Sequence, residues 1–421
     1  VWLAQGISVF GDYLAMFAVQ AAIVFRLRGS ARMVSAMLMA SLLPGVAMGL
    51  VAGVFADRWN PRRTMVASDC LRAVLVLLLV TSSRFSFICA ICFAISCFSA
   101  FFVPAQAVVI PRLVEREELL AASALMQQTL QVARIASPAA AGALVAHFGE
   151  NACYAADAAS FLFSAALLAR IRYDGTTKNT RKNTAECTTE ACEKVLPKKA
   201  VPNLLREFRE GVLFVFASSE LSFATLSMAG GTFAAGCYSA LAAIYVRDVL
   251  RAGTAVYGTM GSLTAIGTLV GAVLINHKAI GRIARNGERE VLIAAGMGVV
   301  GACILLLAAF PAVLMTMIAT LGIGLGAAVA LVAASAMIRE RTPVELRGRV
   351  SSVSLSLMSA AQAGAILVAG SCAGSIAGGA GLGVRGVYAL SGAMLLAQPA
   401  YRYFRRGTIR SAPAACFQTP P

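Results

Sequence analysis

Asp12, Asp69, Arg72, Arg134 and Asp157 lie within otherwise apolar stretches of this chain. A charged side chain at the centre of a bilayer costs roughly 2.5–3.5 kcal/mol on insertion scales, so one that is kept there faces a partner or a water-lined cavity. The chemistry open to such groups is proton exchange and charge recognition. Asp12 stands about nine residues into its stretch, near mid-depth at a rise of roughly 1.5 Å per residue. It reads either as a carboxylate that takes up and releases a proton as a cavity opens to alternate sides, or as a structural acid bonded to backbone or a hydroxyl. Asp69 and Arg72 share a helix face at i, i+3 and can pair directly. Arg134, one turn before Pro138, could hold an anionic group or neutralise an acid on the first or sixth stretch, and Asp157 lies in the outer part of its own. Gln127, Gln128 and Gln131 offer hydrogen bonds without charge. Phe101, Phe102, Tyr238 and Tyr245 either line a path or pack.

The elements that must position these residues follow from composition. Of 421 residues, 59% are hydrophobic and 13% charged, with mean hydropathy +0.77; a soluble chain carries about a quarter charged residues. Without water in the bilayer core, backbone groups must bond within their own segment or around a closed barrel. Apolar runs near 20 residues select helices over alternating ten-residue strands. Twelve spans are expected, at 3–25, 33–56, 64–82, 85–108, 123–146, 152–171, 217–246, 254–275, 290–309, 311–337, 350–373 and 384–404. The fold class is therefore an all-α membrane protein. It divides into a six-helix bundle over 1–171, a polar linker over 172–206, a second bundle over 207–405 and a tail over 406–421. The start of 203–216 is amphipathic and suits the membrane interface. The chain opens at Val1 almost directly with an apolar stretch, which reads as a span and not as a cleavable leader.

A net charge of +16 would suit nucleic acid, but its distribution points to the bilayer. Most of the 36 Lys and Arg fall in the loops after spans 2, 4, 6, 8 and 10 and in the tail. Arg26, Arg28, Arg32, Arg84, Arg247, Arg251 and Arg385 fall on the other side. The positive-inside rule then places both termini in the cytoplasm of a multi-pass protein of the cell membrane. Most of the 11 Cys sit in or beside spans, where Cys acts as a small hydrophobe, and the two His are far apart. No metal site, cofactor or disulfide framework is expected. Neither His-Glu-x-x-His nor Gly-x-Ser-x-Gly occurs, and the glycines of Gly322-x-Gly324-x-Gly326 have no following Lys-Ser/Thr. They read as close-packing positions, and an enzyme or an ATP-driven pump is not supported.

Between spans 2 and 3 runs Gly53-Val-Phe-Ala-Asp57-Arg58-Trp59-Asn60-Pro61-Arg62-Arg63. So dense a charged turn must lie outside the hydrocarbon. Gly53 permits close helix approach, and Asp57, Arg58, Arg62 and Arg63 supply a pairing set able to latch one conformation. Asn60 is expected in a left-handed turn conformation. The plainer reading is an ordinary positive-inside loop. The halves also repeat weakly: Gly49-x-x-x-Gly53 has a counterpart in Gly267-x-x-x-Gly271, and Glu118-Leu119 in Glu345-Leu346. A duplicated six-helix unit places a midplane site between its halves.

The Gly53–Arg63 turn resembles the loop 2–3 signature of the major facilitator superfamily. Together with Phe10-Gly11-Asp12, Ser68-Asp69-x-x-Arg72, Pro104-x-Gln106, Pro111-Arg112-Leu113-Val114 and Pro343-x-Glu345-Leu346-Arg347-Gly348-Arg349-Val350, it is similar to the third drug:proton antiporter family, which includes macrolide efflux and enterobactin export proteins. Ser137 stands before Pro138 where the antiporter motif of helix 5 has Gly. The resemblance implies a secondary transporter, acting as a monomer, that exports an amphipathic small molecule against protons by alternating access. The alternatives are a lysophospholipid or lipid-like flippase of the same superfamily, or a membrane sensor that transports nothing.

Overall fold

The computed structural model describes residues 2–56, 59–81, 84–113, 118–170, 204–276, 289–343, 346–373 and 382–409. Among them the chain forms no strand and thirteen α-helices: α1 (Trp2–Ala21), α2 (Ala31–Ala56), α3 (Pro61–Val80), α4 (Phe85–Leu113), α5 (Leu119–Phe148), α6 (Glu150–Arg170), α7 (Leu204–Ala217), α8 (Ser219–Ile244), α9 (Thr254–Asn276), α10 (Arg289–Ala309), α11 (Val313–Arg341), α12 (Arg347–Cys372) and α13 (Gly383–Ile409). Nine of the helices among the described residues are long and apolar enough to cross a membrane. Each expected span coincides with one of the long helices. α4, α11 and α13 overrun their expected ends at 108, 337 and 404, helical hydrogen bonding continuing into polar residues such as Arg339 and Arg341. The short α7 is the expected amphipathic segment; residues 172–203 and 410–421 lie outside the described part.

The start of α3 corrects one expectation. Asn60 is extended, with φ −70° and ψ 112°, and not left-handed. Pro61 forces this by excluding helical geometry from the residue before it. Asn60 becomes the N-cap, its side-chain oxygen accepting the Arg63 backbone N–H at 3.4 Å.

Apolar packing shows how the two sets of helices meet. Let the turn face be the side on which α1 begins and the Trp59–Asn60 turn lies. On the opposite face one buried apolar cluster runs through both sets, from Ile23 and Val34 to Tyr257, Met260 and Ala369. On the turn face there are two clusters. One holds Ala4, Met65, Phe102, Ala105, Val109 and Leu168. The other holds Val215, Leu221, Ile293, Met337 and Val350. A core shared at one face and split at the other is a body closed on one side and divided on the other.

The shared face is made by small residues. A Cβ on Gly142 of α5 would stand 2.8 Å from the Gly258 Cα of α9, and one on Gly370 of α12 would stand 2.6 Å from the Ser35 Cβ of α2. Phe17 stacks on Tyr257 with centroids 4.2 Å apart, and the Tyr257 hydroxyl donates to Gln20 Oε1 at 2.7 Å in a buried bond. The glycine-rich helices behave as close-packing elements: a Cβ on Gly324 would reach 1.8 Å from the Thr264 carbonyl oxygen. Tyr245 and Phe102 are buried, so the packing reading holds for both.

The duplication shows most clearly where sequence comparison missed it. α1 ends in the π-helical turn Ala22–Arg26 and α8 in the π-helical turn Tyr245–Val249. Each is followed by Leu and then by an Arg at positive φ, Arg28 at 51° and Arg251 at 50°. Matching backbone bonds close both turns, Gly29 N–H to Ile23 at 2.8 Å and Ala252 N–H to Val246 at 2.9 Å. A non-glycine residue in this conformation costs about 1–2 kcal/mol, so its occurrence at equivalent places is a shared feature and not a local accident.

Candidate functional site

The site grows from the contact of α1, α3 and α6. Gly11 is its steric condition: a Cβ there would lie 2.3 Å from both Asp157 Oδ1 and Ser160 Oγ, so only glycine lets α6 bring these groups against α1. Asp12 is the next residue. On α3, Asp69 and Arg72 are buried, with relative exposures of 0% and 3%.

Arg72 pairs directly with Asp69, as the i, i+3 spacing predicted. Its other terminal nitrogen stands 3.7 Å from Asp12 Oδ2, so one guanidinium serves an acid on its own helix and another on α1. Phe102 and Phe161 sandwich it, their centroids 4.8 and 4.4 Å from the guanidinium carbon; a desolvated cation over an aromatic face gains about 2 kcal/mol or more. Ser164 Oγ donates to the second Asp69 oxygen at 2.6 Å. Asp157 is buried, and Ser160 Oγ lies 3.3 Å from its Oδ1 while donating to the Asp157 backbone carbonyl at 2.7 Å. Asp12 differs from the others, its side chain being 39% exposed. The cluster thus has a sealed interior and one acid at its opening. Such an arrangement can exchange a proton at Asp12, with Arg72 as the counter-charge that Asp12 shares with Asp69.

Arg134 is placed elsewhere. Its Nε donates to the Tyr13 hydroxyl at 2.6 Å, and among the described residues it forms no ion pair. Of the two expectations for it, holding an anionic group or neutralising an acid on the first or sixth helix, the second is not met among the described residues. Tyr13 follows Asp12 by one residue on α1 and points to α5 instead, so Arg134 is held apart from the cluster with donors to spare. Ser137, at the position of the motif's glycine, donates to the Phe10 carbonyl at 3.0 Å and ties α5 to α1. Gln127 and Gln131 lie on α5, their side chains outside the described set.

Of the turn motif, Asp57 and Arg58 lie outside the described residues, and Gly53 is described only as part of α2. Arg63 is exposed. Arg62 donates to the carbonyls of Leu168, at 3.3 Å, and Ala169, two of the last acceptors of α6. A cation there satisfies carbonyls left open at a helix end and meets the negative end of its dipole. Trp59 stacks on Phe101 of α4 at 5.9 Å. The turn is thereby anchored to α4 and α6. Sequence reading missed Arg62's partners, as well as Gly11, Tyr13, Ser160 and Ser164. The spacing of Asp157, Ser160 and Ser164, at i, i+3 and i+7, carried the last two on one helix face.

Across the shared face, Arg247 of the second π turn donates from one nitrogen to the carbonyls of Val24 and Gly29, both at 2.8 Å, while Asp248 holds its remaining nitrogens. Charge-assisted bonds of this kind contribute about 1.5–3 kcal/mol each before solvent screening. Arg247→Ala is expected to loosen the closed face. A cysteine reporter at buried Ser35 should then react severalfold faster with a small maleimide than in the parent chain.

Comparison with known proteins agrees with this architecture. Over 375 residues the chain is 24% identical to Macrolide efflux protein A of Streptococcus pyogenes, covering 86% of this chain and 85% of that one. It is 30% identical over 165 residues to the uncharacterised MFS-type transporter YfiS of Bacillus subtilis strain 168, a match covering 39% of this chain and 40% of that one. The fold is shared with a solved bacterial homologue of the human lysosomal transporter Spinster in its inward-facing, unoccupied conformation, at a TM-score of 0.69 and 14% identity over 99% and 98% of the two chains. A bacterial homologue of the iron transporter ferroportin, also inward-facing, gives 0.66 at 14% identity over 96% and 97%. The Major Facilitator Superfamily sequence model matches residues 1–354, and the chain belongs to that superfamily of transporters.

Proposed function

We propose that this transporter exports an amphipathic small molecule in exchange for protons by alternating access. The observation that carries the reading is the acid cluster, in which buried Asp69 and Arg72 support a partly exposed Asp12. An acid that shares its counter-charge with another gains or loses a proton according to how water reaches it. The divided core supports alternation: the six helices of 1–171 and those of 207–405 rock about the shared seam. With both termini in the cytoplasm the turn face is cytoplasmic, so the conformation described is open inward. Likeness to a macrolide efflux protein supports export of a bulky amphiphile.

The test is efflux of an amphipathic fluorescent dye into inverted membrane vesicles under an imposed pH gradient. Dye movement should stop on addition of a protonophore. Asp12→Asn is expected to keep the parent protein level while losing at least about tenfold in gradient-driven transport. Undiminished proton-driven transport by that variant would remove Asp12 from the mechanism.

A further inference from the structure

α7 is held firmly on one side and exposed on the other. A Cβ on Gly211 would stand 3.0 Å from the Arg349 carbonyl oxygen and 3.1 Å from the Val353 Cγ2, both of α12. Val215 is fully buried, and its carbonyl accepts the Ser222 hydroxyl of α8 at 2.9 Å. The helix is therefore a fixed feature of the turn face, seated where α8 and α12 begin. Its exposed side carries Arg206, Arg209, Leu213 and Phe216, at i, i+3, i+7 and i+10. Leu213 is 57% exposed and Phe216 39%. At a rise of roughly 1.5 Å per residue, about 15 Å separates the first Arg from Phe216, so cations hold one end of this face and apolar groups the other.

The positive charge at that end is not balanced. Glu210 Oε1 takes Arg206 at 3.1 Å while its Oε2 takes Arg349 at 2.6 Å, so one carboxylate is divided between two guanidinium groups. The Arg206 side chain is 75% exposed. Arg209 is exposed and forms no ion pair among the described residues. By register Glu207, two residues away at about 100° per residue, falls on the far side of the helix from Arg209. Arg206 also stands in the first turn of α7, where the helix dipole is itself positive. An anion docked there meets two guanidinium forks and that dipole together. A molecule with a phosphate at one end and hydrocarbon at the other fits both halves of the face, and membrane-spanning helices are surrounded by such molecules. We propose that the outward face of α7 is a binding site for an anionic phospholipid of the leaflet at the turn face, its phosphate held between Arg206 and Arg209 and its acyl chains against Leu213 and Phe216. The inference needs only the membrane setting and stands apart from the proton-exchange reading.

The experiment places the full chain, carrying Trp2→Phe and Trp59→Phe, in lipid nanodiscs and reads the fluorescence of one reporter, Leu213→Trp. Brominated phosphatidylglycerol and brominated phosphatidylcholine quench it according to how often each sits beside α7. The anionic lipid should be favoured about tenfold or more, since each cation beside an anionic headgroup commands about fivefold. Raising sodium chloride from about 0.05 to about 0.5 M should reduce that preference. Arg209→Gln should cut it about fivefold, and adding Arg206→Gln should bring it near parity. Arg209→Gln breaks no ion pair among the described residues, so it tests the site even where the double variant does not fold. A second reporter, Leu162→Trp, on the exposed side of α6 at mid-length, should show no preference. Equal quenching by the two lipids beside α7, or a preference that Arg209→Gln leaves intact, would overturn the proposal. The same preference at Leu162 would reveal a response to overall charge and count equally against it. Loss of the preference on adding inorganic phosphate at constant ionic strength would assign the two cations to a free anion and refute the lipid site. A lipid preference that behaves as described, in a protein that moves no dye, would support the site and refute only the transport reading.

Discussion

Arg72→Met is expected to lose about 3–5 kcal/mol of stability, read as a shift in the unfolding transition of the detergent-purified protein. The cost comes from what remains. Asp69 is fully buried, and without Arg72 it retains only the Ser164 hydroxyl. Asp12 loses its counter-charge in the same step. The single change leaves unpaired charge, whereas the double variant Asp69→Asn with Arg72→Met removes both signs together. The double variant should therefore be clearly more stable than the sum of the two single losses implies, a coupling that residues in direct contact show and distant ones do not. Simple additivity would mean that the pair is not the structural centre of the cluster. Transport should fail in the double variant even where stability returns, because Asp12 no longer meets a cation.

Gly258→Leu is expected to have the second large effect, and on conformation more than on folding. At this point α5 and α9 touch through backbone: a Cβ on Gly258 would stand 2.7 Å from the Gly142 Cα and 2.9 Å from the Pro138 carbonyl oxygen. A side chain cannot be accommodated by a rotamer change when the atoms in its way are main chain. Overpacking of this kind costs about 1–3 kcal/mol, and here the cost applies only while the seam is closed. A conformation that parts α5 from α9 escapes it. The population should move toward that conformation by roughly 5–150-fold, the range that 1–3 kcal/mol commands. Thiol labelling of reporters on the seam face would rise, and that of reporters between the two turn-face clusters would fall. Equal labelling of both faces before and after the substitution would show that the seam does not govern which side is open.

The helices were legible because apolar length is a coarse signal that packing rarely overrides in a membrane chain. Asp69 and Arg72 were legible as a pair because i, i+3 is a local relation within one helix. Asp12 and Asp157 could be singled out by cost, but their convergence depends on Gly11, whose role is visible only once α6 lies against α1. Arg134 shows the limit of the same reasoning. Charge alone left an anionic guest and an acid of the first or sixth helix both open, and the rotation of α5 about its axis delivers Arg134 to the hydroxyl of Tyr13. The π turns after α1 and α8 were hidden for another reason. Leu-Arg recurs in both, but what repeats is a backbone conformation at Arg28 and Arg251, and side-chain identity records it poorly.

The most direct test of proton exchange at the cluster is infrared difference spectroscopy of the membrane-embedded protein, following the protonated-carboxyl band as transported substrate is added at constant pH. Loss of a carboxyl proton on substrate addition, with the difference absent from Asp12→Asn, is the expected result. A spectrum that substrate leaves unchanged, or a difference that persists in Asp12→Asn, would contradict it.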